Sequence, residues 1–252
     1  MTGARGTRSS HDAKKGRLSV RIFSDADSLA DAGADLVVLR LGEGFAARGR
    51  ATIALSGGRS PRGLYQRLAS PPRVSQVDWS RVRVFFADER AVPPTDPESN
   101  FRMARETLID PAHVPPRNVH RMKGEYPDLE VAVEEYEAHL SEALDLVILG
   151  VGPDGHIASL FPGSPLLGER TRRVAAVLDS PKPPPRRLTL TPRALDEARS
   201  VLVLGIGADK AEAVARALAE EGDGAATPAR LVRNREWLVD RAAAALLSAR
   251  SG

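Results

Sequence analysis

The stretch LDLVILGVGPDGHIASLFPGS (144–164) decides how this chain is read. It opens with the most apolar strand pattern in the sequence, LDLVILG (144–150), too continuous for a strand with one wet face. The run ends in Gly150, Gly152 and Gly155, which spell G-x-G-x-x-G. Such a loop has two uses. It can cradle the pyrophosphate of a dinucleotide, or it can present His156 at the carboxyl end of a strand. The first use needs a last glycine that opens a packed helix and an acidic residue about 20 positions on. Here only HIASLF separates Gly155 from Pro162 and Gly163, which leaves no room for a crossover helix. The next strand pattern, RVAAVL, ends before Asp179, about 29 residues after Gly150. The context fails, and the nicotinamide reading goes with it.

Outward from this stretch, apolar strand patterns alternate with helical ones. LSVRIF (18–23), ATIAL (51–55), VRVFFA (82–87) and SVLVLGI (200–206) read as strands, as do RVAAVL and RLTLT. A long helix follows the first strand, from Asp25 or Asp27 to Gly49. Others are expected over PRGLYQRLA, SNFRMARETLI, DLEVAVEEYEAHLSEA and DKAEAVARALAE, with an Ala-rich helix last. Near-continuous apolar strands between helices predict an α/β fold, a single doubly wound and mostly parallel sheet with helices on both faces. The stretches SPPR (70–73) and SPKPPPR (180–186) are short enough to be loops within it. Residues 17–252 are thus expected to form one domain, preceded by a disordered basic arm over residues 1–16.

Composition narrows the function. The 252 residues are 42% hydrophobic and 27% charged and contain no cysteine, which removes thiolate catalysis, thiolate metal sites and disulfides, and suits a reducing cytoplasm. No apolar run approaches the roughly 18 residues of a membrane span. The leader MTGARGTRSSHDAKKGR has no apolar segment after it and does not read as a secretory signal. Net charge is only +3 and aromatic content 4%, a poor basis for nucleic-acid binding but compatible with a small anionic ligand. No apolar helix face stands out as unpartnered, so a monomer is expected.

Ligands of doubly wound sheets bind beyond the carboxyl ends of the strands. Four loops there carry notable residues. SGGRSP (56–61) offers Ser56, Gly57 and Gly58 ahead of a helix, where free backbone N–H groups favour an anion; the full Walker pattern is absent. GVGPDGH presents His156 two residues after Asp154, a base beside a carboxylate that can fix its tautomer. GIGADK places Lys210 at a helix start, where a cation is out of place unless an anion is shared there. The strand VRVFFA leads into an acidic turn, DER (88–90), which adds Asp88 and Arg90. His113, His120 and His139 lack a glycine scaffold and read as structural or surface residues. No HExxH, paired-His spacing or G-x-S-x-G appears, so neither a metal hydrolase nor a serine triad is expected.

Taken in order, SGGRSP (56–61), FFADERAVPPTDPESN (85–100), LGVGPDGHIASLFPGS (149–164), RLTLT (187–191) and LGIGADKAEAV (204–214) resemble the glucosamine-6-phosphate isomerase/6-phosphogluconolactonase family, on its lactonase side. The resemblance runs from about residue 18 and implies hydrolysis of 6-phospho-D-glucono-1,5-lactone to 6-phosphogluconate in the pentose phosphate pathway. It implies His156 as the base that activates water and Asp154 as its orienter. Arg90, Lys210 and the Ser56–Gly57–Gly58 loop would hold the substrate phosphate, with Arg187 or its neighbour Arg186 as a further contact. Asp88 would line the pocket, and no cofactor or metal is required. Two alternatives compete. An isomerase–deaminase of the same family carries a Glu in a stretch resembling IAFNEP, whereas IASLFP (157–162) has no carboxylate. A non-catalytic sugar-phosphate sensor would carry a helix-turn-helix, for which the leader is too short.

Overall fold

The computed structural model describes residues 18–247; the expected N-terminal arm lies outside the described residues. Nine strands are present among them: β1 (Ser19–Phe23), β2 (Ala51–Leu55), β3 (Val82–Phe86), β4 (Asp88–Arg90), β5 (Leu146–Gly150), β6 (Val174–Val177), β7 (Arg187–Leu190), β8 (Ser200–Gly205) and β9 (Glu236–Asp240). The helices are α1 (Ala26–Arg48), α2 (Arg59–Leu68), α3 (Arg73–Gln76), α4 (Asn100–Ala104), α5 (Leu129–His139), α6 (Pro192–Glu197) and α7 (Ala211–Leu218).

Six strands form one sheet in the order β1-β9-β8-β5-β2-β3, and every neighbouring pair is parallel. All five residues of β2 are buried, as are Leu146–Leu149 of β5 and Val201–Gly205 of β8. Successive strand residues point to opposite faces, so burial without alternation means that both faces are covered. This is the doubly wound arrangement expected from the apolar runs. Helix α1 is set by local chemistry: Asp25 and Ser28 form a reciprocal capping box, and Gly49 ends the helix in the left-handed region at φ 73°.

Chain order reverses between β2 and β5. After β2 the chain moves outward to β3; after β5 it moves the other way, to β8 and β9. This is the switch point at which loops diverge and leave a crevice.

Three expectations are corrected. RVAAVL and RLTLT do not join the parallel sheet; β6 and β7 pair antiparallel and, with β4, form a separate three-stranded sheet in the order β4-β7-β6. The loop between β6 and β7 holds no helix, and a parallel crossover needs a dozen or more residues. The acidic DER turn is strand β4. The Ala-rich segment 241–247 forms successive turns packed on the core through Ala243 and Ala244 rather than a regular helix. In addition, the helix begun at Asn100 widens over Arg105–Ile109 into a π-turn, with Asp110 N–H donating to the Arg105 carbonyl at 3.0 Å.

Candidate active site

A cleft of about 370 Å³ opens at the carboxyl ends of β2, β5 and β8, within the range of small-ligand sites. The loops after these three adjacent strands supply most of its wall, and β4, β7 and Asn100 of α4 supply the rest. Of the nine residues singled out in the sequence, eight line it: Ser56, Gly57, Gly58, Asp88, Arg90, His156, Arg187 and Lys210. The ninth, Asp154, stands behind His156.

The loop after β5 is built around that pair. Gly152 N–H donates to the His156 carbonyl at 2.9 Å and Gly155 N–H to the Gly152 carbonyl at 2.9 Å, closing a tight turn. Gly155 has φ 91°, a conformation that costs glycine little. A Cβ on Gly152 would fall 2.0 Å from His156 Nδ1, so only glycine lets the imidazole lie against the turn. His156 Nδ1 is 2.5 Å from Asp154 Oδ1. The neutral tautomer that donates Nδ1–H to the carboxylate has Nε2 as its acceptor nitrogen. Burial opposes ionisation of Asp154, but hydrogen bonds from His156 and Lys182, together with the charges of these partners, outweigh it and hold the carboxyl far below its usual range. Phe161 covers the imidazole, ring centroids 4.7 Å apart. The Arg187 guanidinium lies 5.5 Å from the centre of the same Phe161 ring.

The small antiparallel sheet delivers the cationic wall. Arg90 is directly opposite Arg187 in the β4–β7 ladder, and Asp88 is opposite Thr189. Directly opposed residues share a face, as do residues two apart, so Asp88, Arg90 and Arg187 all turn toward the cleft. Two opposed guanidinium groups repel each other, and an anion between them removes that cost. Arg187 is 5% exposed and is held by the carbonyls of Lys182, Pro183 and Pro184 at 2.9–3.2 Å. Burial lowers its pKa, with Asp88 opposing. Arg186 bonds the Pro127 carbonyl at 2.9 Å, so Arg187 is the member of the pair that lines the cleft.

Glu89 faces the other way and is buried at the start of α4. Its carboxylate accepts from the backbone N–H groups of Arg90, Asn100 and Phe101 and from the Ser99 hydroxyl, at 2.7–3.0 Å. Burial pushes its pKa up to about 7 against these donors. Asp88 is fixed by Asn100 Nδ2 at 3.0 Å and the Ser159 hydroxyl at 2.7 Å.

On the opposite wall, α2 starts after Gly58, at φ 89°, with no side-chain cap, so the N–H groups of its first turn face the cleft unclaimed. Ser56 gives its hydroxyl proton to the Ile148 carbonyl at 2.8 Å, which leaves oxygen lone pairs but no donor for a ligand. Lys210 is largely buried and pairs with Asp209 at 2.9 Å, while Asp209 also lies 3.9 Å from Arg59. Among the described residues no group of His, Asp or Glu side chains gathers as a metal site would require, and no helix is long and apolar enough to cross a membrane.

Sequence reading missed Lys182, Asn100, Arg59 and Asp209. Lys182 sits in a proline-rich stretch that reads as a linker, and nothing in its neighbours signals that it reaches Asp154. Arg59 and Asp209 lay inside quoted loops, and the glycines beside them were the only signal.

The family model for glucosamine-6-phosphate isomerases/6-phosphogluconolactonase matches residues 24–240. A 6-phosphogluconolactonase of Mycobacterium tuberculosis is 42% identical over 245 residues, covering 91% of this chain and 98% of that protein. One of Streptomyces coelicolor is 40% identical over 244 residues, covering 90% and 93%. The solved structure of 6-phosphogluconolactonase from Trypanosoma brucei superposes with a TM-score of 0.82 at 29% identity, covering 92% of this chain and all of that one. With an Asp–His pair at the sheet's switch point and two arginines opposed in the β4–β7 ladder, the chain belongs to the glucosamine-6-phosphate isomerase/6-phosphogluconolactonase family.

Proposed function

We propose that the protein is a 6-phosphogluconolactonase, hydrolysing 6-phospho-D-glucono-1,5-lactone to 6-phosphogluconate in the pentose phosphate pathway. The observation that carries the reading is the pairing of His156 with Asp154 at 2.5 Å on the wall of a cleft that Arg90, Arg187 and Lys210 also line. Relatives at 40–42% identity along nearly the whole chain bear that enzyme's name.

His156 Nε2 takes a proton from water as the oxygen attacks the lactone carbonyl. The tetrahedral intermediate collapses with cleavage of the bond from the carbonyl carbon to the ring oxygen. The imidazolium returns the proton to that oxygen, leaving a hydroxyl and an open-chain acid. Asp154 holds the tautomer and stabilises the transient imidazolium. The phosphate is anchored by Arg90, Arg187, Lys210 and the free N–H groups at Gly57, Gly58 and the start of α2, which positions the carbonyl for attack. An activated ester of this kind needs one base and an ordered water. Aldose–ketose isomerisation needs a further acid; here the loop after His156 carries Phe161 against the imidazole and no carboxylate.

The test generates the lactone in place from glucose 6-phosphate and compares wild type with His156→Ala. We expect acceleration over spontaneous hydrolysis by wild type and a loss of at least ~100-fold in the variant, the usual contribution of a general base. A folded wild type that leaves the spontaneous rate unchanged would remove the reading.

A further inference from the structure

Lys182 is outside the cleft's lining, yet its ammonium reaches the pair that the mechanism depends on. Nζ lies 3.0 Å from Asp154 Oδ1 and 3.3 Å from His156 Nδ1. The side chain is about one-third exposed, and among the described residues its ion pair is with Asp154. Its backbone is fixed from both sides: Lys182 N–H donates to Ser180 Oγ at 3.2 Å, and the Lys182 carbonyl accepts from Ser180 Oγ at 3.0 Å and Arg187 Nη2 at 3.2 Å. The arginine that lines the cleft therefore also holds the lysine in place.

We propose that Lys182 is a positioning residue for lactone hydrolysis, holding Asp154 in place and offsetting its charge beside the His156 imidazole. The inference rests on the proposed function, in which His156 is the base. An Asp–imidazole pair alone carries one negative charge and draws a proton onto the ring. A base that is already protonated cannot accept a proton from water. With the ammonium on the same carboxylate oxygen, the cluster is neutral while the imidazole is unprotonated, and a further proton makes it cationic. The geometry thus combines a carboxylate that orients the ring with a cation that limits the rise in basicity the carboxylate would cause.

Other charges near His156 stay in place when Lys182 is changed. Arg187 and His156 both lie against the Phe161 ring, and Arg216 of α7 reaches the Pro153 carbonyl at 3.4 Å. Asp88, Arg90, Asp209 and Lys210 line the same cleft and have partners of their own. Arg59 faces the solvent at the mouth.

The experiment follows the His156 imidazole by NMR titration of the full-length protein in wild type, Lys182→Met and Lys182→Arg, the resonance being assigned by its loss in His156→Gln. The pH dependence of kcat/KM is measured on the same proteins. Removing a unit charge 3.3 Å from His156 Nδ1 should raise the midpoint by about one pH unit in Lys182→Met, and Lys182→Arg should restore it. The acid limb of kcat/KM should move upward with the midpoint. An unmoved midpoint in Lys182→Met overturns the proposal. A midpoint that moves while the acid limb stays removes Lys182 from the reaction and His156 from the role of base. If wild type hydrolyses no lactone, the proposed function falls, and the NMR midpoints alone decide whether Lys182 sets the protonation of His156.

Discussion

At the scale of the residue, the site depends on atoms that are missing. Gly152 carries no side chain, and a Cβ there would meet His156 Nδ1 at 2.0 Å and Asp154 Oδ1 at 2.6 Å. Gly57 does the same for Asn100, whose Oδ1 lies 1.7 Å from where a Cβ would be. In Gly152→Ala the collision falls on an imidazole that can swing aside, so we expect a folded protein whose Asp–His pair is pulled apart. A displacement of about 1 Å at a reacting group costs on the order of 100-fold in rate. Kinetics beside a thermal melt checks this, and turnover at the wild-type level would show that the close approach is dispensable. The sequence GPDGH was legible because glycine, aspartate and histidine each have a local reason to stand where they do. Lys182 was not, because its partners are 26 and 28 positions away and no local pattern encodes that contact.

At the scale of the element, three residues of β4 do two jobs by alternation. Asp88 and Arg90 face the cleft, while Glu89 enters the protein and gathers the first N–H groups of α4. Burial raises the Glu89 pKa from 4.5 to about 7. The native state therefore binds more protons than the unfolded chain between those values, and this contribution to stability is lost as pH rises through that window. His120 has the opposite sign. Burial first, and then Arg83 beside it, lowers its pKa from 6.5 to about 4, so its contribution is lost as pH falls through that range. The two oppose each other where the windows overlap. Glu89→Gln leaves His120 unopposed, and we expect unfolding free energy to rise more steeply with pH between 4.5 and 6.5 than in wild type. Urea unfolding across that range measures it, and parallel curves would mean that Glu89 does not titrate there. The strand itself was misread as a turn, because a three-residue strand between Ala87 and a proline-rich loop has no period to detect.

At the scale of the whole molecule, β8 is flanked by β5 and β9, and Leu202 in its middle is fully buried. Leu202→Ala should cost about 2–5 kcal/mol, the range for large-to-small changes in a packed core, visible as a lower urea midpoint with an unchanged slope. By itself the sequence determined the parallel sheet, because apolar runs without alternation can only be satisfied between two covered faces. It also pointed to the loops that line the cleft, because glycines followed by charged residues stand at those strand ends. Only the tertiary structure decided that β6 and β7 pair with β4 rather than joining that sheet, and so which arginine of Arg186 and Arg187 faces the cleft. It alone set Lys182 beside Asp154. Periodicity and capping are written in neighbours along the chain, whereas register between strands and the meeting of distant loops are fixed by packing, which no local pattern records.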